Sequence, residues 1–315
     1  MGQRVLTVTL NPSLDCTITV NALQVAALNR VVRAETDPGG KGINVARVLR
    51  HFGADVLATG FVAGDTGRQL LHFLERAQIA QDFLEIDGET RTNWKVFDEK
   101  VRKTTELNAR GCPVPQTSLA AFREKFAQQC RQAKVAVFSG SLPPEVPADI
   151  YAKLIDLAKE AGVKTILDAD GEALREGLKS VPYAVKPNIH ELEALLGKQL
   201  PTPGDVLAAA RRLLQTGISL VIVSMGADGA VVADARQAFR VLSWDIPVKS
   251  ATGAGDSMVG ALAYALLQGE SLEQIARLTT AAGTRTAARP GTQLCERAEV
   301  FSSLQLVTVE PMENI

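Results

Sequence analysis

The sequence predicts an α/β protein built on a mainly parallel central sheet with helices on both faces, plus a small second sheet. Three observations carry this. Short runs rich in β-branched residues, such as RVLTVTL at 4–10 and LVIVS at 220–224, alternate with longer segments of helical periodicity. A length of 315 residues at 46% hydrophobic content is enough to bury one large core. No internal repeat or low-complexity segment divides the chain, so one domain over 1–315 is expected.

Residues 4–10 read as the first strand, stopped by Asn11-Pro12, with Asp15 in the loop beyond. Residues 16–20 and 30–34 read as short, half-polar strands of an outlying piece. Pro38-Gly39-Gly40-Lys41-Gly42 is a breaker-rich loop before a helix over 43–52, in which Val45, Val48, Leu49 and Phe52 share a face and which Gly53 can end. A strand over 56–62, a turn at Gly64-Asp65 and a helix over 67–77 follow. From Thr90 the pattern changes. Runs at 91–98 and 101–108 alternate around the charged Glu99-Lys100, the pattern of an exposed hairpin rather than a buried parallel strand. Helices are expected at 119–133, 150–161, 173–178, 191–196 and 203–216, and strands at 134–139, 164–168, 183–186 and 220–224. Runs at 230–232 and 239–242 read as antiparallel. They lead to Ser250-Ala251-Thr252-Gly253-Ala254-Gly255-Asp256-Ser257 and a helix over 258–267. Two further helices are expected, at 272–289 with a break near Gly283, and at 298–306.

The formal net charge of -1 gives no global reason to expect nucleic acid or an anionic membrane as partner. No apolar run reaches the length of about 18 residues that a spanning helix needs. Residues 1–10 lack the pattern of a signal peptide, so a cytoplasmic location is expected. Cys16, Cys112, Cys130 and Cys295 lie far apart with no C-x-x-C spacing, which argues against zinc and for free thiols.

Ligands of such sheets bind beyond the carboxyl ends of the strands, so 11–15, 139–140, 186–188 and 224–229 should meet on one rim. Gly253-Ala254-Gly255-Asp256 opens a helix. Its unpaired N–H groups and dipole suit an anion, and a carboxylate beside them can take a proton from a hydroxyl. A helix-capping acid explains the same letters. Gly39-Gly40-Lys41-Gly42-Ile43-Asn44 is neither a G-x-x-x-x-G-K-[ST] loop nor G-x-G-x-x-G, so a nicotinamide cofactor is not indicated. The glycines can admit a polar small molecule, with Asn44 on its hydroxyls and Lys41 on a phosphate. Taken alone, Asp15 reads as a turn cap and Arg91, Asn93 and Lys103 as solvated hairpin residues; if the hairpin closes over the rim, Arg91 and one of Lys95 or Lys103 supply cations for a phosphorylated substrate. Asn188-x-x-Glu191 offers oxygen ligands that suit Mg²⁺, or a helix cap. Ser224-Met225-Gly226-Ala227-Asp228-Gly229 ends the most strand-like run in a turn that either approaches a nucleotide or closes an ordinary hairpin.

Together, Gly39-Gly40-Lys41-Gly42-Ile43-Asn44-Val45-Ala46 and Gly253-Ala254-Gly255-Asp256 resemble the two signatures of the PfkB family of ribokinase-like sugar kinases, over essentially the whole chain. Thr9-Leu10-Asn11-Pro12-Ser13-Leu14-Asp15, Ser139-Gly140-Ser141-Leu142-Pro143, Lys186-Pro187-Asn188 and Gly255-Asp256-Ser257-Met258-Val259-Gly260 are similar to the phosphosugar kinases of that family. The resemblance implies a ribokinase-like three-layer α/β/α fold in which 12–35 and 90–111 form a β-sheet lid that pairs across a homodimer. It implies phosphoryl transfer from ATP, with Mg²⁺, to a ketohexose phosphate. Thr90-Arg91-Thr92-Asn93-Trp94-Lys95 and Thr105-Glu106-Leu107-Asn108 favour fructose 1-phosphate, with tagatose 6-phosphate and fructose 6-phosphate as alternatives. A binding regulator that has lost catalysis is the competing class. Asp256 would be the base, in an anion hole over Gly253-Ala254-Gly255-Asp256 whose backbone donors at Ala254, Gly255 and Asp256 hold the transferring group. Asp15, Gly40, Asn44 and Asn93 would meet the sugar, and Lys41, Arg91, Lys103 and Ser139 its phosphate. Lys186, Asn188, Ser224, Gly226, Gly229 and Gly255 would lie on the nucleotide side, with Asn188 and Glu191 on the metal. Relatives commonly have Thr where this chain has Ala251, so a weaker nucleotide contact is expected there.

Overall fold

The computed structural model describes residues 4–313. The chain begins with β1 (Arg4–Thr9), leaves the main sheet through β2 (Ser13–Val20) and β3 (Val31–Gly39), and returns through α1 (Lys41–His51) to β4 (Asp55–Ala63). After α2 (Gly64–Arg76) come the short strands β5 (Ala80–Gln81) and β6 (Leu84–Ile86), then a second excursion, β7 (Arg91–Asp98) and β8 (Lys103–Leu107). Regular alternation follows through α3 (Gln116–Cys130), β9 (Ala133–Ser139), α4 (Ile150–Glu160), β10 (Lys164–Asp168), α5 (Gly171–Lys179), β11 (Ala184–Val185), α6 (Ile189–Leu196), α7 (Pro203–Gln215) and β12 (Leu220–Ser224). The antiparallel pair β13 (Ala230–Asp234) and β14 (Ala238–Leu242) precedes α8 (Ala254–Gln268), α9 (Leu272–Ala287), α10 (Arg297–Phe301) and β15 (Thr308–Pro311).

The main sheet runs β15-β14-β13-β12-β11-β10-β9-β1-β4-β5, with β6 paired to β4. It is parallel from β4 through β12 and antiparallel beyond. Successive residues of a strand point to opposite faces, and the central strands are apolar on both. Val135 and Val137 of β9 join one core with Leu220 and Ile222 of β12, covered by α1, α2, α8 and α9. Ala136, Phe138, Val221 and Val223 join the other, covered by α3, α4 and α7. The result is the three-layer arrangement that the alternation of elements implies.

The small sheet runs β3-β2-β7-β8, with β2 and β7 parallel and the outer pairs antiparallel. Ser13 is in register with both Gly39 and Arg91, so the strand begins there. Asp15 therefore lies in a central strand of this sheet and not in a loop after the first strand.

Other departures from the sequence reading are local. The helix expected to break near Gly283 is continuous. Gly283 instead lets α9 close on α8, since a Cβ there would lie 2.9 Å from Met258 Cγ. The helix expected over 298–306 ends at Phe301 and is followed by a 3₁₀ turn over Leu304–Leu306. The edge strands β5, β6 and β15 gave no pattern long enough to read. No helix among the described residues is long and apolar enough to cross a membrane, and all four cysteines are free thiols.

Candidate active site

Between the rim of the main sheet and the small sheet lies a cavity of about 1080 Å³. The start of α8 forms one wall. Gly253 sits at φ 79°, a left-handed conformation that favours glycine, and a Cβ there would come within 2.7 Å of Leu294 Cδ2. This turn starts the helix without a side-chain cap. The Ala254 N–H donates to Ala251 O at 3.3 Å and the Ser257 N–H to Gly253 O at 2.8 Å. That leaves the N–H groups of Gly255 and Asp256 without a carbonyl partner inside the helix, at its positive end. Ala254 is thus already bonded among the three donors expected for an anion. The next turns of α8, with Val259, Ala261, Leu262 and Ala263 fully buried, anchor this end in the core.

The Asp256 side chain lines the cavity and is only 9% exposed. Its carboxyl is pushed up to about 6, chiefly by burial and then by the neighbouring Asp168. A hydrogen bond from Asn44 and the charges of Lys41 and Lys186 pull the other way. Asn44 Nδ2 donates to Asp256 Oδ2 at 2.8 Å, which joins the two glycine-rich motifs across 212 positions of sequence.

Lys41, the first residue of α1, extends toward two carboxylates. Its Nζ lies 3.8 Å from Asp168 Oδ2 and 3.7 Å from Glu191 Oε1. Asp168 raises the Lys41 pKa most, burial opposes it, and Glu191, Asp256 and Asp170 add to the rise. The ammonium therefore stays charged. Lys186 Nζ lies 3.2 Å from Asp168 Oδ1, with both side chains buried. Asp168 is the functional-looking residue that the sequence reading missed. Its signal was an acid closing an apolar strand at the carboxyl end of the sheet, the end where ligands bind. Asp170, Thr280 and Thr284 also line the cavity without having been singled out, as do Ser141, Glu106 and Asn108, which the sequence offered only within longer motifs.

The opposite wall is the small sheet. Lys95 Nζ donates to Asp15 Oδ2 at 2.9 Å, Asn93 Nδ2 to Asp15 Oδ1 at 3.0 Å, and Ser13 Oγ to Asp15 Oδ1 at 2.9 Å. Burial pushes the Asp15 carboxyl up, but Lys95, Ser13 and Asn93 together hold it below the usual carboxylate value. Arg91 Nη2 donates to Asn11 O and Nη1 to Ala109 O, each at 2.9 Å, while its Nε is buried without a partner.

Asn188 and Glu191 form a reciprocal capping box at the start of α6. Asn188 Oδ1 accepts from the Glu191 N–H at 2.8 Å, and Glu191 Oε2 from the Asn188 N–H at 2.9 Å. The capping alternative is therefore realised, and it leaves Glu191 Oε1 facing Lys41. Ser224 ends β12, and Gly226 and Gly229 sit in the turn after it, which the Met225 N–H closes by donating to Gly229 O at 2.8 Å. Ala251 lines the cavity and is exposed.

Asp15, Gly40, Lys41, Asn44, Arg91 and Asn93 line this one cavity, as do Lys186, Asn188, Glu191, Ser224, Gly226, Gly229 and 253–256. Lys103 and Ser139 are not brought there. Lys103 pairs with Asp98 at the far end of the hairpin, where its side chain is exposed. Ser139 is fully buried below the rim, with its Oγ unpartnered and its carbonyl facing Tyr151.

Residues 8–299 match the model of the pfkB family of carbohydrate kinases. The chain is 40% identical over 287 residues to a 1-phosphofructokinase of Xanthomonas campestris, covering 89% of this chain and 90% of that one. It is 33% identical over 311 residues to a tagatose-6-phosphate kinase of Staphylococcus epidermidis, covering 97% of this chain and 100% of that one. Its structure is similar to that of phosphofructokinase-2 from Escherichia coli crystallised with potassium, with a TM-score of 0.92, 32% identity, and coverage of 97% and 99%.

Proposed function

This chain belongs to the pfkB family of carbohydrate kinases, and from that premise we propose that it transfers the γ-phosphoryl group of ATP to a primary hydroxyl of fructose 1-phosphate. The products are fructose 1,6-bisphosphate and ADP. The observation that carries the reading is Asp256, a buried carboxylate at the start of α8, raised to about 6 and fixed by Asn44. Held there, it is ionised at neutral pH yet basic enough to accept the hydroxyl proton as the bond to phosphorus forms.

Phosphoryl transfer to an alcohol passes through a loose transition state, so most of the barrier reduction comes from position and charge. In this reading the N–H groups of Gly255 and Asp256 and the ammonium of Lys41 meet the transferring group. Asp15, Gly40, Asn44 and Asn93 orient the sugar hydroxyls. Arg91 meets the sugar phosphate; Lys103, exposed at the far end of the hairpin, and Ser139, buried below the rim, do not line the cavity that it would occupy. Lys186, Ser224, Gly226 and Gly229 line the nucleotide side. Asn188 and Glu191 suit Mg²⁺ because they offer hard oxygen ligands, and Glu191 retains a carboxylate oxygen not used in the capping box. When bound, the ion neutralises charge on the nucleotide phosphates. Among the described residues no cluster of three or more His, Cys, Asp or Glu could cage a metal, and Mg²⁺ held through waters and phosphates needs none.

The small sheet serves as the lid in this proposal, and its outer face as a dimer contact. Trp94 and Leu107 are cross-strand neighbours on it, 45% and 59% exposed, and Val31 and Val32 are exposed at the start of its outer strand β3. A monomeric mass in solution at high concentration would remove the dimer. We place the reaction in the cytoplasm, where ATP is supplied and four free cysteines stay reduced.

The test is a coupled ADP-release assay with fructose 1-phosphate, fructose 6-phosphate, tagatose 6-phosphate and the unphosphorylated sugars. The highest kcat/KM is expected with fructose 1-phosphate. A higher value with tagatose 6-phosphate, the substrate in the name of the S. epidermidis relative, would transfer the assignment to that sugar. Turnover on none of them would favour a binding protein that has lost catalysis.

A further inference from the structure

Asn44 is held at both ends. Its Nδ2 donates to Asp256, and its Oδ1 accepts from Arg47 Nη1 at 3.2 Å, one helical turn further along α1. A carboxamide has one accepting end and one donating end. With a guanidinium on the oxygen, only the NH₂ end can face the carboxylate. The flipped amide would set oxygen against oxygen at Asp256 and NH₂ against guanidinium at Arg47. Arg47 does not line the cavity, so it does not reach substrate there. It is half-buried, at a cost to its charged form that Asp37 of β3 and Asp15 of β2 partly offset from the small sheet. Among the described residues neither acid closes to an ion pair with it, and Asp37 Oδ2 instead accepts from Thr292 Oγ1 at 2.6 Å. A guanidinium placed this way, away from a bidentate carboxylate partner, is poorly explained as a stabilising salt bridge.

We propose that Arg47 is a positioning residue for phosphoryl transfer, locking the Asn44 amide so that its NH₂ group holds the Asp256 carboxylate in place and in its ionised form. The inference rests on the reading of Asp256 as the base. The charged groups that face Asp256 are Asp168 on β10, Lys41 on α1 and Lys186 after β11. None of the three depends on Arg47, so the amide is the contact through which Arg47 acts. A hydrogen bond to the charged form favours that form, so freeing the amide raises the Asp256 pKa.

The experiment measures kcat and kcat/KM against pH for wild type, Arg47→Met, Arg47→Lys and Asp256→Asn. Arg47→Met is expected to lower kcat about tenfold at pH 7 and to move the acid limb up by about half to one pH unit, with KM for ATP unchanged. Arg47→Lys keeps the charge toward Asp37 and Asp15 but loses the planar fork, so it should move the limb the same way by less. Should Arg47→Met not fold, Arg47→Lys is read alone: a displaced acid limb supports the proposal, and a wild-type limb overturns it. Asp256→Asn separates the two readings. If it is inactive while the Arg47 variants keep the wild-type limb, the positioning role fails. If it retains turnover within tenfold of wild type, the base assignment fails and the inference with it.

Discussion

Asp15 and Asp256 face one cavity from opposite walls, each 9% exposed, and their carboxyls are driven in opposite directions. Burial acts on both in the same sense. Asp15, in the small sheet, is pulled back below the ordinary value by a lysine at 2.9 Å and two further donors. Asp256, at the start of α8, has one close donor, Asn44, and an unfavourable neighbour in Asp168, and it rises to about 6. The difference teaches that exposure alone does not set the basicity of an acid. A buried acid is raised where its cations stand off and another acid stands near, and this is the property that the proposed base needs.

The largest effect tests the rim. Asp256→Asn should lower kcat by three to four orders of magnitude with nucleotide affinity retained, near the upper limit for loss of a general base. In the wild type, kcat/KM should fall tenfold per unit below about pH 6, where the carboxylate takes its own proton. An acid limb below pH 5 would erase the contrast between the two aspartates.

The next effect turns one aspartate into the other. Lys95→Met strands the Asp15 carboxylate in a buried position without its cation, a change that typically costs about 3–5 kcal/mol. The protein should lose about that much stability at pH 7.5. KM for the phosphosugar should rise while kcat holds within a few-fold, because the proposed role of this wall is binding. Unfolding midpoints in urea equal to wild type would show that Asp15 has solvent enough to stand alone.

These contrasts also mark what the sequence could and could not disclose. Strands such as 164–168 and 220–224 were legible to the residue because they are apolar on both faces and bounded by turns. Asn188-x-x-Glu191 and Gly253-Ala254-Gly255-Asp256 were legible as the starts of helices because their signals are local in sequence. The two-residue β5 and the terminal β15 were not, since an edge strand needs little apolar patterning of its own. Pairing across the chain was not legible either. Nothing near Asp15 in sequence indicates Lys95, 80 positions away, and nothing in Lys164–Asp168 says that Asp168 will face two lysines. Lys103 and Lys95 look alike on the hairpin. Only the register against β2, which sets Thr17 beside Lys95 and Asp15 beside Asn93, shows which of them turns inward.

The smallest effect concerns stability rather than rate, and its sign differs between the two acids. A carboxyl whose folded pKa lies above the unfolded one contributes most to stability below the unfolded value and loses it as pH rises through the folded one. For Asp256 that window runs from about 4 to about 6, and the displacement from 3.8 to about 6 corresponds to about 3 kcal/mol of penalty at pH 7.5. Asp256→Asn should therefore stabilise the protein at pH 7.5 by up to about 3 kcal/mol, less whatever the amide loses against Asn44, with the gain vanishing near pH 4. Asp15 runs the other way. Its folded value is lowered, so its contribution is present above the unfolded pKa and fades as the solution is acidified. Asp15→Asn should lower the melting temperature at pH 7.5, and the gap should narrow toward pH 3. Melting curves for both variants across that range decide the point. If the two substitutions shift stability in the same direction at pH 7.5, the opposed electrostatics of the two walls do not hold.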